Sequence, residues 1–127
     1  MKVLVYGNEL VAGRISPLLK EMGLEMVPVS GDMPGCALDC FLRNMTDIEL
    51  AILDTSEEFS GHLCSLLDKV EYIPVALLVN NDTADWEWLG SCEASAYIPL
   101  EVGEEEFASR LQLVIRHCLP QTVLEKV

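Results

Sequence analysis

Short apolar runs alternate with longer amphipathic stretches along the whole chain. The runs cover residues 2–6, 25–29, 50–53, 73–79 and 95–98. The first, third and fourth are continuously apolar, the pattern of parallel strands covered on both faces. Pro28 interrupts the second run, and a residue without an N–H belongs on an edge strand. Helical spacing fills the gaps. Leu10, Val11, Ile15, Leu18, Leu19 and Met22 mark a first helix that stops at Gly23. Pro17 lies inside it and predicts a kink, with Gly13 four residues back easing the clash. A weaker second helix is expected over 36–45. Thr55 and Glu58 fit a capping box for a third, followed by Phe59, Leu63, Leu66, Leu67 and Val70. A short fourth opens near Asp82 and carries Trp86 and Leu89. The fifth opens on Glu104-Glu105-Glu106, charges that suit a helix N-terminus, and closes before Pro120. Its apolar stripe is Phe107, Leu111, Val114, Ile115 and Cys118.

Strand–helix units repeated in this way predict an α/β fold, a three-layer, doubly wound, five-stranded parallel sheet with helices on both faces. The chain has 127 residues, the size of one domain. Residues 1–119 form that domain, and 120–127 read as a tail or the start of a linker.

Charge then narrows the function. Eight Lys and Arg against 21 Asp and Glu leave a net charge of −13. Phosphate contacts need clustered basic residues, so neither nucleic acid nor an anionic lipid surface is an expected partner. No window reaches the length of a membrane span, and the apolar run after Lys2 is too short for a signal-peptide core. Cys36, Cys40, Cys64, Cys92 and Cys118 are odd in number and include no CxxC pair. They read as buried structural thiols of a cytoplasmic protein rather than as a disulfide framework or a zinc site. The two histidines, His62 and His117, both fall within predicted helices, where a solvent-edge role is the simpler one.

In an open parallel sheet, chemistry gathers at the carboxyl ends of the strands. Those ends offer Gly7-Asn8-Glu9, Ser30, Asp54-Thr55-Ser56, Val79-Asn80-Asn81 and Leu100-Glu101. A dinucleotide fingerprint would need glycines at 7, 9 and 12, but Glu9 and Ala12 stand at the last two. Phosphate-loop and nucleophile-elbow motifs are absent. Asp54, at the end of the third run, is the polar residue placed where catalysis usually happens. It reads either as a residue orienting the following loop or as a phosphoacceptor carboxylate.

From residue 2 to about 118 the pattern resembles the receiver domain of two-component response regulators. KVLVYGNE resembles the family's first strand with its acidic pair, LAILD the third strand ending in the phosphorylated Asp, YIPVALLV the fourth, and EASAYIPL the approach to its Lys-Pro. The resemblance implies a flavodoxin- or CheY-like strand order 2-1-3-4-5. Its functional positions are degenerate here. The Mg²⁺-holding acidic pair falls on Gly7 and Asn8, with Glu9 one place late. The phosphoryl-sensing hydroxyl falls on Val79, the Lys on Leu100 and its Pro on Glu101. Asp54 matches the acceptor and Tyr97 the switch aromatic. Phosphoryl transfer to a carboxylate crowds negative charge and relies on a metal and a cation.

Three readings follow. The first is an atypical, phosphorylation-independent receiver, similar to pseudo-receivers, that acts as a signalling or transcription-regulator interaction module. It is not an enzyme and has no cofactor or metal. The resemblance places its protein partner or its own second copy on the fourth helix, fifth strand and fifth helix, with Trp86, Trp88, Tyr97 and Glu101. The second is a working response regulator phosphorylated on Asp54, with Mg²⁺ held by a reduced set of Asn8, Glu9 and Asp54. The third is a small ligand-binding or enzymatic flavodoxin-like domain.

Overall fold

A computed structural model describes residues 2–7, 9–29, 48–55, 73–80, 86–91 and 94–118. The predicted second helix, the body of the third, Asn8, Ser30, Cys36, Cys40, Cys64, Cys92, His62 and the 120–127 tail lie outside the described residues.

Five strands form one parallel sheet: β1 (Lys2–Tyr6), β2 (Glu25–Val29), β3 (Ile48–Asp54), β4 (Val75–Val79) and β5 (Ala96–Pro99). Their order is β2-β1-β3-β4-β5, so β3 is central and β2 is an edge, as Pro28 requires. The described helices are α1 (Glu9–Glu21), α2 (Trp86–Ser91) and α3 (Glu104–Cys118). The bounds of β1 and β2 match the apolar runs. β3 begins two residues before its run, at Ile48, where Lys2 pairs with Ile48 beside a register shift. β4 starts after Pro74, whose carbonyl still accepts from Ala51 N–H at 3.0 Å. β5 extends to Pro99, which sits on an edge where a missing N–H is harmless.

Period-two alternation sends successive side chains to opposite faces. Val3, Val5, Leu50, Ile52, Ala76, Leu78 and Ile98 face α1 and α3 and are buried with Ile15, Leu19, Phe107, Leu111 and Ile115. Leu4, Tyr6, Ala51, Leu53, Leu77 and Val79 form the second core, which Leu89 of α2 joins. The helices therefore lie on both sides of the sheet.

In α1 the apolar stripe is buried except for Leu10, which is 79% exposed. Its position in the first turn lifts it above the sheet and toward the strand ends. The helix passes through Pro17 without interruption. Pro17 and Gly13 are both exposed, and a Cβ at Gly13 would meet nothing within 4 Å. At its C-terminus Gly23 takes φ 71°. Leu24 N–H donates to Leu19 O and Gly23 N–H to Lys20 O, a Schellman stop that needs a residue tolerant of the left-handed region.

Candidate functional site

Parallel strands aim their carboxyl ends at one rim of the sheet, and the helix after each strand starts from that rim. Asp54, the last residue of β3, is only 1% exposed. Thr55 then crosses to β4, with both its N–H and its hydroxyl donating to Leu78 O, at 3.0 and 2.8 Å. The predicted capping box thus has its Thr hydroxyl directed at the neighbouring strand, while Glu58 lies outside the described residues. On the far side of β4, Leu100 N–H donates to Val79 O at 2.8 Å. The rim is tied together across its width.

Gly7 follows β1 and sits against Asp54. A Cβ at position 7 would lie 3.2 Å from the Asp54 Cβ and 3.3 Å from a Val11 methyl. The close approach explains why a residue without a side chain occupies this place. Tyr6, immediately before it, is fully buried. Burial first and the charge of Asp54 second push its phenol up to about 12.

Leu10, Val11, Arg14, Asp54, Asn80, Leu100, Val102 and Glu104 line a shallow open cleft over this rim. Among the described lining residues Arg14 is the cation, and it comes from α1. Its Nη1 donates to Leu100 O at 3.1 Å and its Nη2 to Val102 O at 3.2 Å. Its Nε lies 3.0 Å from Glu104 Oε1, an ion pair in which the N–H is not aligned with the oxygen. The guanidinium carbon stands 4.1 Å from the centre of the Phe107 ring. A planar cation can make all of these contacts at once, where an ammonium could not.

No family model matches the chain, and no curated protein matches it in sequence. Solved structures do match. The response regulatory domain of protein mrkE from Klebsiella pneumoniae is 19% identical, with TM-score 0.67 and 100% of each chain covered. A response regulator receiver protein from Burkholderia phymatum is 20% identical, with TM-score 0.67, covering 91% of this chain and 94% of that one. The chemotaxis response regulator CheY4 of Vibrio cholerae is 15% identical, with TM-score 0.64, covering 89% and 97%. The chain has the receiver-domain fold.

On that fold, the position expected to hold a metal-binding carboxylate is Gly7, and its neighbour Asn8 is outside the described residues. Glu9 is exposed at the start of α1. Val79 is buried in the second core and Leu100 packs against the first. The described residues contain no group of three His, Cys, Asp or Glu that could hold a metal ion. Asp54 beside Gly7 leaves one buried carboxylate among the described rim residues, the lower end of the one or two that Mg²⁺ usually takes.

Away from the rim, the Tyr97 hydroxyl donates to Leu89 O at 2.8 Å, and the Tyr97 ring lies 6.4 Å from the Trp86 ring at 58°. Trp86 is 53% and Tyr97 39% exposed. The Trp88 side chain is outside the described residues, and Glu101 is exposed. His117 is exposed in the last turn of α3. Cys118 is half-buried, and burial pushes its thiol up and away from the reactive thiolate.

Sequence reasoning missed Arg14. The available signal was its spacing, four residues after Leu10 and three after Val11, which puts a cation on the rim-facing turn of α1.

Proposed function

We propose that this chain is a signal-transduction module that uses the receiver fold through protein contact, without Mg²⁺-dependent phosphorylation of Asp54. The observation that carries the reading is the content of the strand-end cleft. Asp54 is buried against Gly7, Val79 and Leu100 stand where the resemblance expects the hydroxyl and the Lys, and the described cation, Arg14, is engaged by two carbonyls and Glu104. Several negative charges brought to such a site would lack the neutralisation that phosphoryl transfer depends on. The shallowness of the cleft supports this reading over a small-molecule enzyme or sensor, whose ligand would be largely enclosed. No reaction is assigned to the chain.

Incubation with Mg²⁺ and acetyl phosphate should leave the intact mass unchanged. A phosphoryl adduct that disappears in Asp54→Asn would overturn the reading and establish a working response regulator.

Protein contact is assigned to the face formed by α2, β5 and α3. The tilted Trp86–Tyr97 pair supports this, because large aromatic side chains dominate binding energy at interfaces. Glu101 borders the face, and the partner is a protein or a second copy of the chain. If the chain self-associates there, Trp86→Ala should weaken the dimer by roughly 30-fold or more in sedimentation equilibrium. A monomer at all concentrations, unchanged by the substitution, would remove self-association from the proposal. No described helix is long and apolar enough to cross a membrane. The acidic composition and the cysteine pattern support the cytoplasm as the location.

A further inference from the structure

The strand-end rim holds a device that the degenerate site does not account for. Residues 100–103 connect β5 to α3, and a surface loop of this kind would ordinarily be among the more mobile parts of a domain. Here Arg14 holds it from the other side of the cleft. The two carbonyls it binds, Leu100 O and Val102 O, lie 86 and 88 residues away in sequence. They are the carbonyls that alternate along the loop, so one planar fork spans it. The ion pair to Glu104 engages the first residue of α3, and the stack on Phe107 engages its first turn. Arg14 is only about one-fifth exposed, whereas Glu104 is 77% exposed. The guanidinium therefore works through partly desolvated, charge-assisted hydrogen bonds, which are the stronger kind.

We propose that Arg14 is a built-in latch that holds the β5–α3 loop against α1 in one arrangement. The proposal deepens the phosphorylation-independent reading by naming what sets the loop's conformation. A receiver whose loop responded to a phosphoryl group would need a cation free to move toward it. The latch instead commits its cation to the loop itself. The cleft wall formed by Leu100, Val102 and Glu104 is thereby held by a residue of α1.

Two amides report on the loop. Leu100 N–H is bonded to Val79 O at 2.8 Å and Phe107 N–H to Gly103 O at 2.9 Å. Native-state hydrogen exchange on the full chain should be compared for wild type, Arg14→Met and Glu104→Gln. Met keeps an apolar stem over Phe107 but removes the fork. In Arg14→Met, exchange of the Leu100 and Phe107 amides should rise roughly tenfold or more, while β1 and β3 amides such as Val5 and Ile52 stay within twofold. Glu104→Gln removes only the exposed ion pair and should give a smaller rise, roughly two- to threefold, at the same amides. Unchanged exchange of the Leu100 and Phe107 amides in Arg14→Met overturns the latch, as does an equal rise in β1 and β3. If Arg14→Met does not fold, Arg14→Lys decides, since it keeps the charge and loses the planar fork, and unchanged exchange there overturns the latch. Failure of the latch is distinct from failure of the phosphorylation-independent reading, which would show as an Asp54-dependent adduct.

Discussion

Gly7→Asp, which would put a carboxylate where the receiver resemblance expects one, is expected to destabilise the protein by about 3 kcal/mol. Two effects add. A Cβ at position 7 would sit 3.2 Å from the Asp54 Cβ and 3.3 Å from a Val11 methyl, so two tight contacts must give way. Asp54 ends a strand with ladder partners on both sides, at Leu78 in β4 and through the Tyr6–Leu53 pair in β1, so it has little freedom to retreat. Overpacking of this kind costs about 1–3 kcal/mol by itself. A second carboxylate then faces a buried one, and like charges that close oppose each other's ionised form. Gly7→Ala isolates the steric part and should cost about 1–2 kcal/mol. Urea unfolding should give midpoints in the order wild type, Gly7→Ala, Gly7→Asp with a common slope. Adding Asp54→Asn to Gly7→Asp should recover the difference between the two single variants. Equal midpoints for Gly7→Ala and Gly7→Asp would mean that the two carboxylates do not meet.

Much of the architecture is legible in the residues because it rests on local patterns. Continuous apolar runs mark β1, β3 and β4, Pro28 marks the edge, and three glutamates followed by a regular stripe mark α3 at 104–118. Asp54 is legible because a carboxylate at the end of such a run is out of place in a core. Position 7 is half legible. The sequence shows that a carboxylate is missing, but only the packing shows that Asp54 and Val11 occupy the space. Leu10 reads as one more member of a stripe, yet it lies exposed beside the cleft. Periodicity alone does not say where a helix begins to overhang its sheet. Arg14 is the clearest loss. Its partners are carbonyls of a loop far along the chain, and backbone acceptors leave no mark in a sequence. Nothing about the residue types at 100 and 102 announces that their oxygens point at α1.

Tyr6 should give the protein a distinctive alkaline limb. Its phenol is fully buried, and its pKa rises from 10.0 to about 12. Desolvation is the larger cause and the charge of Asp54 the second. The folded state therefore favours the protonated phenol, while the unfolded chain ionises it near its ordinary value. The stabilisation is fully present below pH 10 and is lost as pH rises from 10 toward 12. Two pK units correspond to about 2.7 kcal/mol, so the loss across that window is on the order of 2–3 kcal/mol. Other groups titrate there too, but they are shared with a Tyr6→Phe variant, so the difference between the two proteins isolates the phenol. At neutral pH, Tyr6→Phe should be less stable by about 1 kcal/mol, the usual net cost of removing a buried hydroxyl. Near pH 12 the order should reverse, with the variant the more stable protein. Urea midpoints for both proteins at pH 8, 10 and 11.5 would show the approach and the crossing. A pH-independent difference would mean that the phenol is not held uncharged beneath Asp54. In an Asp54→Asn background the limb should persist over a narrower window, since burial remains and only the smaller, charge-derived part of the shift is removed.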